Sequence, residues 1–353
     1  ELVEIKSFEQ SDGQVNVFAD GDPLVMQNVA NTLTTTTTVT NGVSTSTPVF
    51  SNNNGPVVLR SGRLEGLVTS RDVTIPKYLG DLNTLATAVI QEFNKQHAKG
   101  MGLTGFSSLK AGNAVTSPTA DLDAAGLAPT PVNGSFTVHV TNRNTGEVVS
   151  TNISVDLDSI GSDTTLASLT ADLDAIANLS ASVGTDNKVT ISADSSDYTF
   201  TFSGDNSNAL AALGLNTLFT GTDASNIDVN SVVDGDLSKL AAALTPAAGD
   251  NGNALAMAGL RTALLMNSST TTFDDFYRGS VGTLAVETSQ RLSGFDNQQA
   301  RLDLLENQRQ SVSGVNVDEE MTQLIEAQRT FQASARFISI VDNMLDTLVN
   351  GLF

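Results

Sequence analysis

At 353 residues the chain exceeds what one ordinary hydrophobic core accommodates, so two or three domains are expected. Its 18 basic and 39 acidic residues leave a net charge of -21, a field that repels nucleic-acid phosphates and anionic lipid head groups and argues against both as partners. Cysteine is absent, which removes disulfides, thiolate metal sites and thiol nucleophiles together.

Hydrophobic residues make up 40% but aromatics only 5%, with no Trp, so cores have to be built from Leu, Val, Ile and Ala, a choice that suits long helices and thin sheets. No apolar run approaches the roughly 18 residues needed to cross a bilayer, and the opening residues show no signal-peptide pattern. The first residue is Glu1 rather than Met, in a stretch that already reads as a strand, which gives the expectation that a further segment precedes it.

The first ~105 residues open on hairpin material. Val3 and Ile5 alternate with polar residues, Asp12-Gly13 is a tight-turn pair, and Val15, Val17 and Phe18 resume the strand. A second turn at Asp20-Gly21-Asp22-Pro23 follows, and the Thr-, Ser- and Asn-rich residues 31–56 read as a solvated edge strand or loop. Pro76 suits the first turn of a helix in which Leu79, Leu82, Ala86, Val89 and Phe93 form an apolar seam ending at His97 and Gly100.

From residue 107 the pattern changes. Alternation predicts strands at 135–140, 147–155, 188–193 and 198–203. A helix is predicted from 164 to about 179, with Leu166, Leu169, Leu173 and Ile176 on one face and Ser162 or Asp163 as its cap, and a short one at 208–213. Turn-like residues near Gly105 and at Asp234-Gly235-Asp236 bound this stretch as an inserted unit. Beyond it the chain reads as helical: one helix capped by Asn253 with Leu255, Met257, Leu260 and Leu264, and a long one from Val281 to Leu305 that Gly314 breaks.

Asn316 then caps the last helix, with Glu319 three residues on as a capping box and Asp318 and Glu320 favourable for the helix dipole. Val317, Met321, Leu324, Gln328, Phe331, Ala335, Ile338, Asp342, Leu345, Val349 and Leu352 alternate in steps of 4 and 3. A 3.5-residue period marks a coiled-coil seam, here about five heptads long. At ~1.5 Å per residue such a helix runs roughly 54 Å, too long to dock wholly on one small core. The nine residues Val317, Met321, Leu324, Gln328, Phe331, Ala335, Ile338, Leu345 and Val349 are therefore the candidate assembly interface, against the plainer alternative of an amphipathic helix on its own domain.

Residues 311–350, SVSGVNVDEEMTQLIEAQRTFQASARFISIVDNMLDTLVN, resemble the C-terminal signature shared by rod, hook and hook-associated proteins of the bacterial flagellum. Two further stretches narrow the resemblance to the hook-associated protein 1 family. In RSGRLEGLVTSRDVTIPKYLGDLNTLATAVIQEFNKQHAKGMGLTG (60–105) a Gly-Leu pair precedes Arg-Asp and a helix ends in F-N-x-Q-H-x-x-G; GDNGNALAMAGLRTALLM (249–266) carries a G-D-N-x-N-A-L motif. The implied fold is multidomain α+β: long helices and β-hairpins form one domain, interrupted by an inserted β-rich α+β domain, with a C-terminal coiled-coil helix. The corresponding boundaries are 1–106, 107–232, 233–310 and 311–353.

The resemblance implies a structural subunit at the hook–filament junction, extracellular and exported through the flagellar secretion apparatus. It implies partners too: further copies of the chain in a ring or helical array, hook protein, a second hook-associated protein, and an export chaperone on the last helix. It also implies that an N-terminal helix pairs with 317–352. A hook or rod axial protein is the alternative, and a secreted adhesin or enzyme in the inserted stretch a more distant one. No catalytic, cofactor or metal residues are expected. His97 reads as packing or capping, and His139 lies on a strand face that reads as solvated. Neither has a carboxylate at ligand spacing, and no G-x-S-x-G elbow occurs. Asp121-Leu122-Asp123 and Asp234-Gly235-Asp236 lack a calcium loop, and Gly100-Met101-Gly102 does not continue into a phosphate-binding G-x-G-x-x-G.

Overall fold

The alternating N-terminal residues pair as an antiparallel meander, β1 (Lys6–Glu9), β2 (Val15–Ala19), β3 (Asp22–Met26) and β4 (Val29–Ala30), in the computed structural model, which describes residues 2–27, 29–40, 43–314 and 316–350. Asp20 and Gly21 both take positive φ, the geometry of a two-residue hairpin turn whose twist matches its strands. The Thr-rich stretch forms a two-stranded hairpin of eight-residue strands, β5 (Leu33–Thr40) and β6 (Val43–Phe50).

The helix begins earlier than Pro76 suggests. α1 (Arg63–Thr69) passes through a π-helical turn at Ser70–Thr74 into α2 (Ile75–Ala98). Proline has no N–H to give and its ring crowds the carbonyl four residues back, and the widened turn directly before Pro76 takes that ring. The face that α2 buries is Ile90, Asn94, His97 and Ala98, whereas Leu79 and Leu82 at its start are exposed.

Two three-stranded antiparallel sheets follow. β8 (Gly134–Asn142) lies between β9 (Val148–Val155) and β12 (Tyr198–Ser203); β11 (Val189–Ala193) lies between β10 (Leu179–Val183) and β7 (Ser108–Lys110). Phe136, Val138 and Val140 point inward from β8 and meet Phe200 and Phe202 of β12, with the Phe200 and Phe202 rings edge-on at 5.6 Å. Leu166, Leu169 and Leu173 of α3 (Leu166–Asp174) and the wholly buried α4 (Ala209–Leu213) close this core.

The cap of α3 is Thr165, in a capping box with Ser168, and not Ser162 or Asp163. Asp163 is engaged in its own loop, accepting the Ser159 N–H. The helix also stops at Asp174 rather than near 179, because Asn178 turns the chain at positive φ and the Asp174 carboxylate takes the Ala181 N–H. β10 begins where a longer helix was expected.

The chain continues through β13 (Phe219–Thr220), β14 (Asp228–Val229), α5 (Ser231–Gly235) and α6 (Gly252–Gly259) into α7 (Phe273–Ser313) and α8 (Val317–Asn350). Asn253 does not cap α6; it lies inside the helix, fully buried. Asn316 does cap α8, its Oδ1 accepting the Asp318 N–H at 3.1 Å. Near the expected hinges, Met101 and Ala243 exchange backbone hydrogen bonds and Thr104 N–H reaches Ser238 O, so the chain enters and leaves the two-sheet region side by side.

The chain divides into two compact units, Glu1–Ser280 and Val281–Phe353. In the second, every described residue of α8 is exposed. Phe200→Ala should remove about 3–5 kcal/mol through lost burial and the cavity left between the sheets, read as a lower denaturant midpoint for the first unit.

Candidate functional site

Two of the three segments that resemble flagellar proteins, 60–105 and 249–266, meet in a buried polar clamp at the C-terminal end of α2. Asn94 Oδ1 accepts the N–H groups of Leu218 and Phe219, and its Nδ2 donates to Phe219 O. Asn216 Nδ2 donates to Gly100 O at 2.8 Å. His97 Nε2 accepts the Ala241 N–H at 3.0 Å, so the ring proton sits on Nδ1, which donates to Asn216 O at 2.8 Å. Both ring nitrogens are thereby committed to backbone, and burial holds the imidazole pKa below its ordinary value. His97 is a packing residue.

Asn253 completes the clamp. Its Oδ1 accepts from Gln96 Nε2 at 2.7 Å and its Nδ2 donates to Ala241 O at 2.6 Å. Gly100 permits the close approach, since a Cβ there would lie 2.2 Å from Asn253 Nδ2 and 2.7 Å from Ala243 O. F-N-x-Q-H-x-x-G and G-D-N-x-N-A-L are thus the two halves of one lock. Next to it, Asp250 accepts from Gly252 N–H, from the Thr245 hydroxyl and N–H, and from Leu244 N–H, which hold its carboxyl pKa down to about 2.

The Arg-Asp pair makes a second lock. Arg71 forks onto its neighbour Asp72, Nε to Oδ1 at 2.6 Å and Nη2 to Oδ2 at 2.8 Å. The remaining Arg71 nitrogen, Nη1, donates to Ser46 O on β6. The π-helical turn therefore pins the β5–β6 hairpin to the helix.

Two other arrangements were not legible in the sequence. A cleft of about 910 Å³ opens on the outer face of β8 and β12, lined by His139, Thr141, Thr199, Thr201 and Lys239 among others. His139 is buried there rather than solvated: β8 is a central strand, and the side chain is held between Ser150 Oγ and Ser203 Oγ, each at 2.7 Å. Among the described residues no carboxylate bonds to His139, so no Ser-His-acid relay is assembled. Lys239 Nζ donates to Gly105 O and lies 5.1 Å from the Phe106 ring centre. Separately, the carboxylates of Asp156, Asp158 and Asp163 come within 4.8 Å of one another and could offer oxygen ligands to a hard cation. Asp158 and Asp163 accept backbone N–H groups of their own loop, which accounts for their positions.

All nine candidate interface residues lie on α8. Val317, Met321, Leu324, Phe331, Ile338, Leu345 and Val349 are each more than half exposed, with Phe331 at 76%, and Gln328 and Ala335 are exposed between them. Leu352, the last member of the predicted seam, lies outside the described residues. The heptad count missed a second set: Phe337, Ile340 and Met344 lie off the seam and are equally exposed. A helix with apolar side chains on more than one side is the pattern of a segment packed all round rather than along one groove.

The protein-family model described as the flagellar hook-associated protein FlgK helical domain matches residues 1–113, and that of the flagellar basal body rod FlgEFG protein C-terminal region matches 306–351. Flagellar hook-associated protein 1 of Bacillus subtilis (strain 168) is 30% identical over 124 residues, 35% of this chain and 24% of the relative. Its namesake in Escherichia coli (strain K12) is 25% identical over 309 residues, 83% of this chain and 50% of the relative. Among solved structures, the flagellar hook junction protein FlgK from Burkholderia pseudomallei superposes with a TM-score of 0.42 at 16% identity, covering 88% of this chain and 76% of that one. The chain spans between about a quarter and half of the length of these curated relatives.

Two outcomes test the clamp. Gly100→Ala forces Asn253 or the Ala243 backbone to move and should cost about 1–3 kcal/mol, seen as a lower thermal midpoint. Acid should weaken the fold as well. The folded-state pKa values of His97 and His139 are lowered by burial, so their contribution is intact above the unfolded value of about 6.5 and is lost as pH falls from there through the folded values. Denaturant midpoints should decline as pH falls below about 6.5; a flat profile would contradict the buried, neutral histidines.

Proposed function

We propose that this chain is a member of the flagellar hook-associated protein 1 family, a structural subunit at the junction of hook and filament that works by self-assembly rather than by catalysis. The observation that carries the reading is α8: thirty-four residues of helix, apolar on more than one side, with every described residue exposed. In water that surface is costly at about 25 cal/mol per Å² of apolar area, and packing among helices of neighbouring subunits removes the cost. The rod-protein match at 306–351 fits an axial role in general; the hook-associated match at 1–113 favours the junction over rod or hook.

In this reading α8 lies in the inner wall of a tubular array, with hook protein below and a second hook-associated protein above. An export chaperone covers the α8 seam before secretion, and the chain is extracellular once assembled. A chain without cysteine suits passage as an unfolded, uncrosslinked polypeptide. Residues 107–232 form an inserted domain carried outside the inner wall; the adjacent entry and exit strands at Met101 and Ala243 support that assignment. The clamp at the end of α2 joins the insert rigidly, since Asn216, Leu218 and Phe219 are the partners of Asn94 and His97.

Phe331→Asp tests the reading. Phe331 sits mid-seam, and an unpaired carboxylate buried between helices costs several kcal/mol. The variant should be exported, should keep the thermal midpoint of residues 1–280, and should fail to incorporate, leaving cells without filaments. In the isolated wild-type chain, amides of 317–350 should exchange fast at low concentration and gain protection on assembly, because a helix of this length is marginal without packing. Normal filaments from Phe331→Asp, or strong protection across 317–350 in the dilute monomer, would overturn the proposal.

A further inference from the structure

The β5–β6 hairpin has one closed edge and one open one. Ser51 N–H bonds to Thr32 O at 2.9 Å, just beyond the Leu33–Phe50 pair, and so sets the phase of the ladder. In an antiparallel pair the inward and outward backbone groups alternate, so Phe50, Pro48 and Ser46 face outward from β6 and Leu33, Thr35, Thr37 and Val39 from β5. The outward groups toward the C-terminal end of β6 are largely taken: Phe50 N–H by Gly55 O, Pro48 O by Val57 N–H and Ser46 O by Arg71, while Pro48 has no N–H at all. Among the described residues no backbone partner meets the outward groups of β5.

That open edge is also the least charged part of the chain. No charged residue occurs between Asp22 and Arg60, in a protein of net charge -21. Natural sheets usually blunt an exposed edge with charge, proline or a bulge, and β5, LTTTTTVT, carries none of these. Its β-branched residues favour strand pairing, and Val39 is 69% exposed.

A second open edge of the same length exists on β9. Asn142 N–H bonds to Glu147 O, so the outward groups there belong to Val148, Ser150, Asn152 and Ser154, again without backbone partners among the described residues. β9 is uncharged too, and Val149 is 55% exposed.

We propose that β5 of one copy of this chain pairs with the outer edge of β9 of the next, adding a strand across the subunit boundary. The two edges are different surfaces, so the contact is head-to-tail and repeats around a ring or along a helical array, as the assembly reading on which it rests requires. Main-chain hydrogen bonds supply the attraction, and two uncharged edges bring acidic subunits together where repulsion is least.

Because the chain has no cysteine, cross-linking tests this directly. Facing residues of paired strands lie within disulfide reach. Full-length Thr37→Cys and Asn152→Cys proteins, mixed under mild oxidation at a concentration where the chain associates, should give a mixed disulfide dimer at least about tenfold above either variant alone. No mixed dimer, or self-dimers of Thr37→Cys in equal yield, would overturn the proposal. Thr37→Pro removes an outward N–H without breaking the β5–β6 ladder. It should leave the thermal midpoint unchanged and cut incorporation at least about tenfold; full incorporation would also overturn it. Loss of incorporation in Phe331→Asp with normal incorporation in Thr37→Pro would sink this edge contact while leaving the assembly reading intact.

Discussion

The first unit depends on how the backbone is satisfied where α2 ends. There the helix terminus, the reversal at 215–219 and the return strand at 241–243 meet in the interior, each bringing N–H and C=O groups that water cannot reach. An apolar plug would leave those groups orphaned at a cost of about 1–3 kcal/mol apiece. Asparagine and neutral histidine solve this because each presents a donor and an acceptor from one side chain, and Asn94, His97 and Asn253 use both, while Asn216 donates through its side-chain amide and accepts through its backbone carbonyl. Asn216 sits at positive φ, a conformation its side chain tolerates better than most, so it also makes the turn that it pins.

The joint is rigid for a physical reason: a polar network with every member satisfied admits one arrangement where a greasy contact admits several. The Arg71–Asp72 fork works the same way on the β5–β6 hairpin, orienting a guanidinium so that its free nitrogen caps a strand carbonyl. The residues that carry the family resemblance in the first unit are thus joints of the scaffold, while exposed apolar side chains are concentrated on α8.

Charge is spread unevenly along the chain. The Thr-rich hairpin is free of it, whereas α8 interleaves exposed Phe, Ile, Leu and Met with charged residues such as Glu326, Arg329 and Arg336.

Sequence alone determined the elements whose signals are local. The Asp20-Gly21 turn, strands β8, β9, β11 and β12, the short α4, and the Asn316 cap with the period of α8 each follow from a handful of adjacent residues. Tertiary structure decided whatever rested on partners distant in the chain. His139 reads as half-solvated until its strand is placed between β9 and β12, and Asn253 reads as a cap until Gln96 arrives from 157 positions away. The helix predicted to 179 ends at Asp174 because its carboxylate is claimed by a residue beyond the turn. The open edge of β5 and the closed edge of β6 are both uncharged and rich in hydroxyl and β-branched residues; Pro48 is a local difference, and Arg71 and the 55–57 turn supply the rest from elsewhere in the chain. Spacing in the sequence registers a residue's neighbours along the chain, whereas hydrogen-bond satisfaction in the interior is set by neighbours in space.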